Sequence, residues 1–173
     1  MKNMRIDRIN LYLINVSADF TYCNGVHKEY PMAAIELISG KFHAWGESDL
    51  RSDPQGEGLR ALAGALVGRE INGPSSALNH VDCNAMGHYT ALSLAREGLS
   101  IALYDLFGQA LGGNIAVLLG GRILDQCPGM PVVDVGTPEV MSGRAQRWVA
   151  AGYRYLKIKY RGNRADDLAA LRA

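Results

Sequence analysis

Three apolar-rich stretches lie near the start of the chain, Met4 to Ile14, Met32 to Ser39 and Phe42 to Glu47, with apolar residues at alternate positions in part of each (Ile9, Leu11, Leu13; Ala33, Ile35, Leu37; Phe42, Ala44). Alternation of that kind marks strands with one buried face. Gly40-Lys41 separates the second and third runs by the length of a tight hairpin turn. Ser17 to Pro31 is polar and aromatic with no period, which predicts a mobile loop. Asp53-Pro54 then opens a helix to about Val67, with Asp53 as N-cap and Pro54 in the first helical position. Asn72-Gly73-Pro74 interrupts the chain, and Ser75 begins a second helical stretch toward His88. A third helix runs from Leu92 to Leu111 and stops at Gly112-Gly113, and Ile115 to Leu119 forms a short fourth before Gly120-Gly121.

Arg122 to Met130, with Pro128 and Gly129, reads as a domain boundary, after which the rhythm changes. Pro131 to Val135 reads as a short buried strand. Thr137-Pro138-Glu139 caps a helix to Ala151, Tyr155 to Tyr160 forms the next strand, and Asn163 caps another helix. Strand alternating with helix is the pattern of a parallel α/β sheet. The expected division is 1–125 as an α+β domain, a three-stranded antiparallel meander followed by helices, and 126–173 as two β/α units. Two such units leave strand edges unpaired and one face uncovered, so the chain is expected to be truncated.

In the strand Tyr155-Leu156-Lys157-Ile158-Lys159-Tyr160, both lysines share one face while Leu156 and Ile158 take the other. An ordinary half-exposed strand would send those lysines to water. Under helices on one side, as in a (β/α) barrel, they would instead point inward, where charge is costly to bury without a task.

The 173 residues, 48% apolar and 20% charged, describe a globular protein, and a net charge of +1 gives no reason to expect nucleic acid or a membrane surface as partner. No stretch has the length of a transmembrane span, Leu11 to Val16 being far too short, and no small-residue cleavage site follows a suitable apolar core, so no signal peptide is expected. Cys23, Cys83 and Cys127 are odd in number and widely spaced, as expected for reduced thiols in the cytoplasm. Asp105 and Glu47 read as structural carboxylates. His80, Cys83 and His88 match no compact zinc spacing, His27 and His43 are isolated, and the Gly-Gly pairs lack the Gly-Lys-Ser/Thr needed to cradle phosphate.

Several motifs occur in a telling order: Ala44-Trp45-Gly46-Glu47, Ala102-Leu103-Tyr104-Asp105-Leu106, Leu118-Leu119-Gly120-Gly121, and Gly152 through Lys157-Ile158-Lys159. Together they resemble the enolase superfamily, in its mandelate racemase and muconate-lactonizing branch, over nearly the whole chain. The resemblance implies an N-terminal capping domain followed by the start of a (β/α) TIM-type barrel. It implies that Lys159 is the base that removes a proton α to a carboxylate, and that Lys157 helps hold that carboxylate. Two ammonium groups about 7 Å apart along one strand face repel each other when both are charged. A lysine relieved of its proton is a general base. The family pairs such a base with magnesium. Its metal ligands are carboxylates on the third to fifth barrel strands, so Mg2+ is expected in a full-length enzyme and none on this chain alone. Phe20 and Tyr22 lie in the segment that, by resemblance, folds over the barrel mouth and contacts substrate; packing of that segment is an equal alternative for them. The full-length protein is expected to be a homo-oligomer acting on a small carboxylate by racemisation, epimerisation, cycloisomerisation or dehydration, and this chain alone is expected to be inactive. Two other readings stay open: a Schiff-base lysine in an aldolase-type barrel, and a truncated module that serves assembly or binding without catalysis.

Overall fold

The structure, a computed structural model, describes residues 3–22, 25–79 and 91–173, with the side chains of 18–22, 27 and 91 left aside. Two compact units divide the chain, one built from Met1–Val16 and Tyr30–Ile123, the other from Ser17–Glu29 and Leu124–Ala173.

Early in the chain, β1 (Met4–Arg5) precedes the long strands β2 (Arg8–Tyr22) and β3 (Gly25–Ser39), whose residues 8–16 and 30–39 belong to the first unit, and β4 (Phe42–Asp49). These three form one sheet in the order β2-β3-β4. Gly40, at φ 56°, and Lys41 make the turn that pairs Ser39 with Phe42, and the antiparallel register runs from there to Met32 opposite Asp49. Then follow α1 (Glu57–Leu66), β5 (Glu70–Ile71), α2 (Pro74–Leu78), α3 (Ala91–Ala110) and α4 (Ile115–Leu118). The alternation read from the sequence places Ala33, Ile35 and Leu37 in the core, where they meet Leu59, Leu66, Leu99, Leu103 and Phe107 from the helices.

The contact between β4 and α3 is made by backbone. A Cβ on Gly46 would collide with the Gly98 carbonyl oxygen and lie 2.8 Å from the Ala102 nitrogen. One on Gly98 would lie 2.6 Å from the Glu47 oxygen and 2.8 Å from Ser48 Cβ. The buried Ser48 hydroxyl donates to the Leu94 carbonyl at 3.0 Å. Along the free edge of β4, the Trp45 N–H donates to Asp105 Oδ2 at 2.7 Å and the Gln109 amide donates to the His43 carbonyl at 2.8 Å. Helix side chains thus satisfy backbone groups that an edge strand would otherwise leave open.

Four sequence expectations need correction here. Ser17 to Pro31 is not a loop: β2 continues to Tyr22 and β3 begins at Gly25. Val26, Lys28 and Glu29 are exposed, and strands wetted in this way need no apolar alternation, so the usual signal is missing. Asp53 is not the N-cap of α1. Gly56, at φ 67°, holds that position, while the Asp53 carboxylate accepts the Glu57 and Gly58 N–H groups at 3.0 and 2.8 Å across a turn closed by Gly56 N–H to the Asp53 carbonyl. The first strand is split, because β1 pairs antiparallel with β5, a non-local pair of two residues that local pattern does not announce. His43 is not isolated, since its Nδ1 lies 2.8 Å from Glu36 Oε1. The stretch toward His88 is helical from Pro74 to Leu78 and capped at Asn79, and residues 80–90 lie outside the described residues.

In the second unit, β6 (Val132–Val133) and β7 (Lys157–Ile158) run parallel, with α5 (Pro138–Ala150) between them in sequence and α6 (Arg164–Arg172) after them. Both strands are narrower than the sequence pattern suggests. Thr137 Oγ1 accepts the Val140 N–H at 3.4 Å to cap α5, and the Asn163 side chain caps α6 through the Ala165 and Asp166 N–H groups. Val133 and Ile158 line one apolar groove with Met141 and Val149 of α5 and Leu171 of α6, so this face of the strand pair lies under the helices.

Candidate active site

The register of β6 and β7 sets Val132 beside Lys157 and Val133 beside Ile158, which brings Asp134 alongside Lys159. Backbone hydrogen bonds from Lys157 N–H to the Pro131 carbonyl and from Lys159 N–H to the Val133 carbonyl, both 3.0 Å, secure this alignment. Lys157 alternates with Ile158 and so takes the face opposite the groove, while Lys159, just past β7, lines a small pocket with Thr137 and Pro138 at the start of α5 and Asp166 and Asp167 of α6. Lys157 is exposed. Lys159 is 16% exposed and its Nζ donates to Asp134 Oδ1 at 2.7 Å, with Asp134 itself 25% exposed.

The surrounding chain is tied down by charged groups. The Arg144 guanidinium of α5 donates to the Asp134 carbonyl at 3.1 Å. Beyond β7, Arg161 donates to the Gly136 carbonyl at 3.2 Å, and the Asp167 carboxylate accepts the Arg161 and Gly162 N–H groups at 2.9 and 3.1 Å. Asp134 escaped the sequence reading. A single carboxylate in the apolar run Pro131-Val132-Val133-Asp134-Val135 was the available signal.

The backbones of Phe20 and Tyr22 lie at the end of β2. Asp105 is bonded to Trp45 and Gln109 within the first unit. His80, Cys83 and His88 lie outside the described residues, and Cys127 is a free, exposed thiol. Among the described residues, no three His, Cys, Asp or Glu side chains come together to hold a metal ion, so they do not fit a magnesium site. Among the same residues, no helix is long and apolar enough to cross a membrane.

No family model matches the chain. By sequence it is 24% identical over 181 residues to the N-succinyl-L-Arg/Lys racemase of Bacillus cereus, a match covering 98% of this chain and 48% of the racemase. It is 32% identical over 108 residues to the L-Ala-D/L-Glu epimerase of Clostridium acetobutylicum, covering 62% of this chain and 29% of that enzyme. By structure it superimposes on the dipeptide epimerase of Cytophaga hutchinsonii, solved with Mg and the dipeptide D-Ala-L-Val. That match has a TM-score of 0.83 at 22% identity and covers 98% of this chain and 48% of the epimerase. The homologues and structural neighbours of this chain are members of the enolase superfamily, in its mandelate racemase and muconate-lactonizing branch. The antiparallel sheet followed by helices agrees with that superfamily's capping domain. The chain spans about half the length of the relatives that it matches from end to end.

Proposed function

We propose that residues 1–125 are the capping domain and 126–173 the first two β/α units of an enzyme that removes the proton α to a carboxylate, with Lys159 as the base and Lys157 as the cation that holds the carboxylate. The observation that carries this reading is the pair of lysines two positions apart at the end of β7, with Lys159 Nζ bonded to Asp134 beside it, in a chain whose relatives include racemases and epimerases. Amino-acid derivatives are the first substrates to try, because several of the relatives and neighbours are named for N-succinyl amino acids, for Ala and Glu, or for dipeptides.

The proton passes from the α-carbon to Lys159 Nζ, and the electron pair left on carbon delocalises into the carboxylate. Lys157 supplies positive charge for the oxygens that gain it. Magnesium, with which structural neighbours were solved, would supply further positive charge in a complete enzyme. The 173 residues alone are proposed to be silent, since two parallel strands do not enclose a site from which water is excluded. Phe20 and Tyr22, at the end of β2, are proposed to bias the choice of substrate.

The test is deuterium incorporation at the α-carbon of a panel of N-acyl amino acids and dipeptides in D2O, using protein expressed from the complete coding sequence. Exchange should fall by at least about 10³-fold in Lys159→Ala with the fold retained, the scale of a lost general base. Undiminished exchange would remove Lys159 from the role. Borohydride-dependent covalent trapping of a carbonyl substrate on either lysine would favour the Schiff-base alternative.

A further inference from the structure

We propose that Asp134 is a positioning residue for Lys159, holding its amine at the C-terminal ends of β6 and β7. The chemical meaning of this rests on the reading of Lys159 as a base; the contact itself rests on geometry. The two residues are separated by 25 positions in sequence and are brought side by side by the parallel register. Each has its backbone fixed independently of the ion pair, Lys159 by its N–H to the Val133 carbonyl and Asp134 by the Arg144 guanidinium on its carbonyl. The 2.7 Å contact therefore joins two anchored side chains, both partly buried.

A lysine side chain has four rotatable methylene bonds, and its amine samples a wide volume unless something holds it. Surface ion pairs between two mobile side chains contribute little. This pair differs because both stems rise from adjacent strands on the same face. Asp134 also balances one of the two lysine charges. Lys157, exposed on the same strand, is left to meet an incoming carboxylate. The division of labour follows from placement: Asp134 and Lys159 work as a pair, and Lys157 faces the ligand.

A purely structural ion pair would also join β6 to β7, so the test needs readouts that a structural role does not move. The first is competitive acylation of lysines by a limiting amine-reactive reagent, with Lys159 and Lys157 quantified by mass spectrometry in protein from the complete coding sequence. Asp134→Asn should raise the Lys159-to-Lys157 labelling ratio about fivefold, the size that a partly buried ion pair supports. Asp134→Glu, which keeps the charge but shifts it by one methylene, should fall between the two and serves if the Asn variant does not fold. The second readout is steady-state exchange kinetics: Asp134→Asn should lower kcat with KM nearly unchanged, whereas Lys157→Ala should raise KM as well. A labelling ratio unmoved in both folded Asp134 variants would overturn the proposal. A ratio that moves in a protein with no exchange activity on any carboxylate would uphold Asp134 as the holder of Lys159 and reject the enzymatic reading alone.

Discussion

The two units bury their apolar residues in opposite ways. In the first, sheet and helix meet so closely that Gly46 and Gly98 have no room for a methyl group, and a continuous core runs from Ile6 to Phe107. In the second, the buried hydrophobic side chains among the described residues are Val133, Val135 and Met141, while Val149, Tyr155, Tyr160 and Leu171 stand about half exposed or more. The first unit has a tight fit with nothing to spare. The second presents apolar surface that, on the proposed function, further β/α units cover. Stability in the first unit should therefore respond sharply to added or deleted atoms, and in the second only weakly.

The largest effect is expected at Gly98. Its added Cβ would press on the Glu47 carbonyl oxygen, on Ile35 and on Ser48, and the backbone cannot step aside as a flexible side chain would. Gly98→Ala should cost about 3 kcal/mol in urea unfolding, at the upper end for overpacking. A cost below that of an ordinary surface change would dissolve the contrast between the units. Next comes Asp105→Ala, which strands the Trp45 N–H and removes an acceptor from Gln109. It should cost about 2 kcal/mol, the range for hydrogen bonds to charged groups. Asp105→Asn keeps an acceptor and should lose less.

A smaller, pH-dependent effect belongs to Glu36. His43 first, then Asn10 and Tyr12, donate to its carboxylate and hold it down to about 2 from its ordinary 4.5. The same carboxylate pushes the Tyr12 hydroxyl up. A depressed carboxylate contributes stability that is full above the unfolded value and is lost as pH falls through the folded one. The difference in denaturation midpoint between the parent and Glu36→Gln should accordingly be constant above about pH 4.5 and shrink toward pH 2. A gap that widens on acidification would reverse the assignment. The smallest effect is expected in the second unit, at Gly143 within α5, where an added Cβ meets nothing within 4 Å. Gly143→Ala should stabilise by about 0.5–1 kcal/mol through helix propensity alone.

What could be read from the chain beforehand follows the same divide between local and non-local causes. The β3–β4 hairpin was legible because Gly40-Lys41 sits between two alternating runs, and α5 because Thr137 and Pro138 cap it. The Lys157–Lys159 pair was legible for the same reason, being local in sequence. The far half of β2 and β3 was not, because among its described side chains Val16, Ser17, Val26, Lys28 and Glu29 are all exposed and impose no alternation. Nor was the pairing of β1 with β5, or of Lys159 with Asp134, since each depends on a register set by distant residues. Gly46 and Gly98 each look like ordinary glycines until strand and helix are seen to press against each other.

The edge of β4 has one more consequence, for how the protein behaves at high concentration. A free strand edge is a template onto which another chain can add its own strand, the first step toward aggregation. Here the Trp45 N–H and the His43 carbonyl are already taken by Asp105 and Gln109. An arriving strand would have to displace two intramolecular bonds before it could form its own. These two side chains of α3 thus act as gatekeepers, and weakening them exposes a surface on which molecules can join edge to edge well before the fold itself is lost.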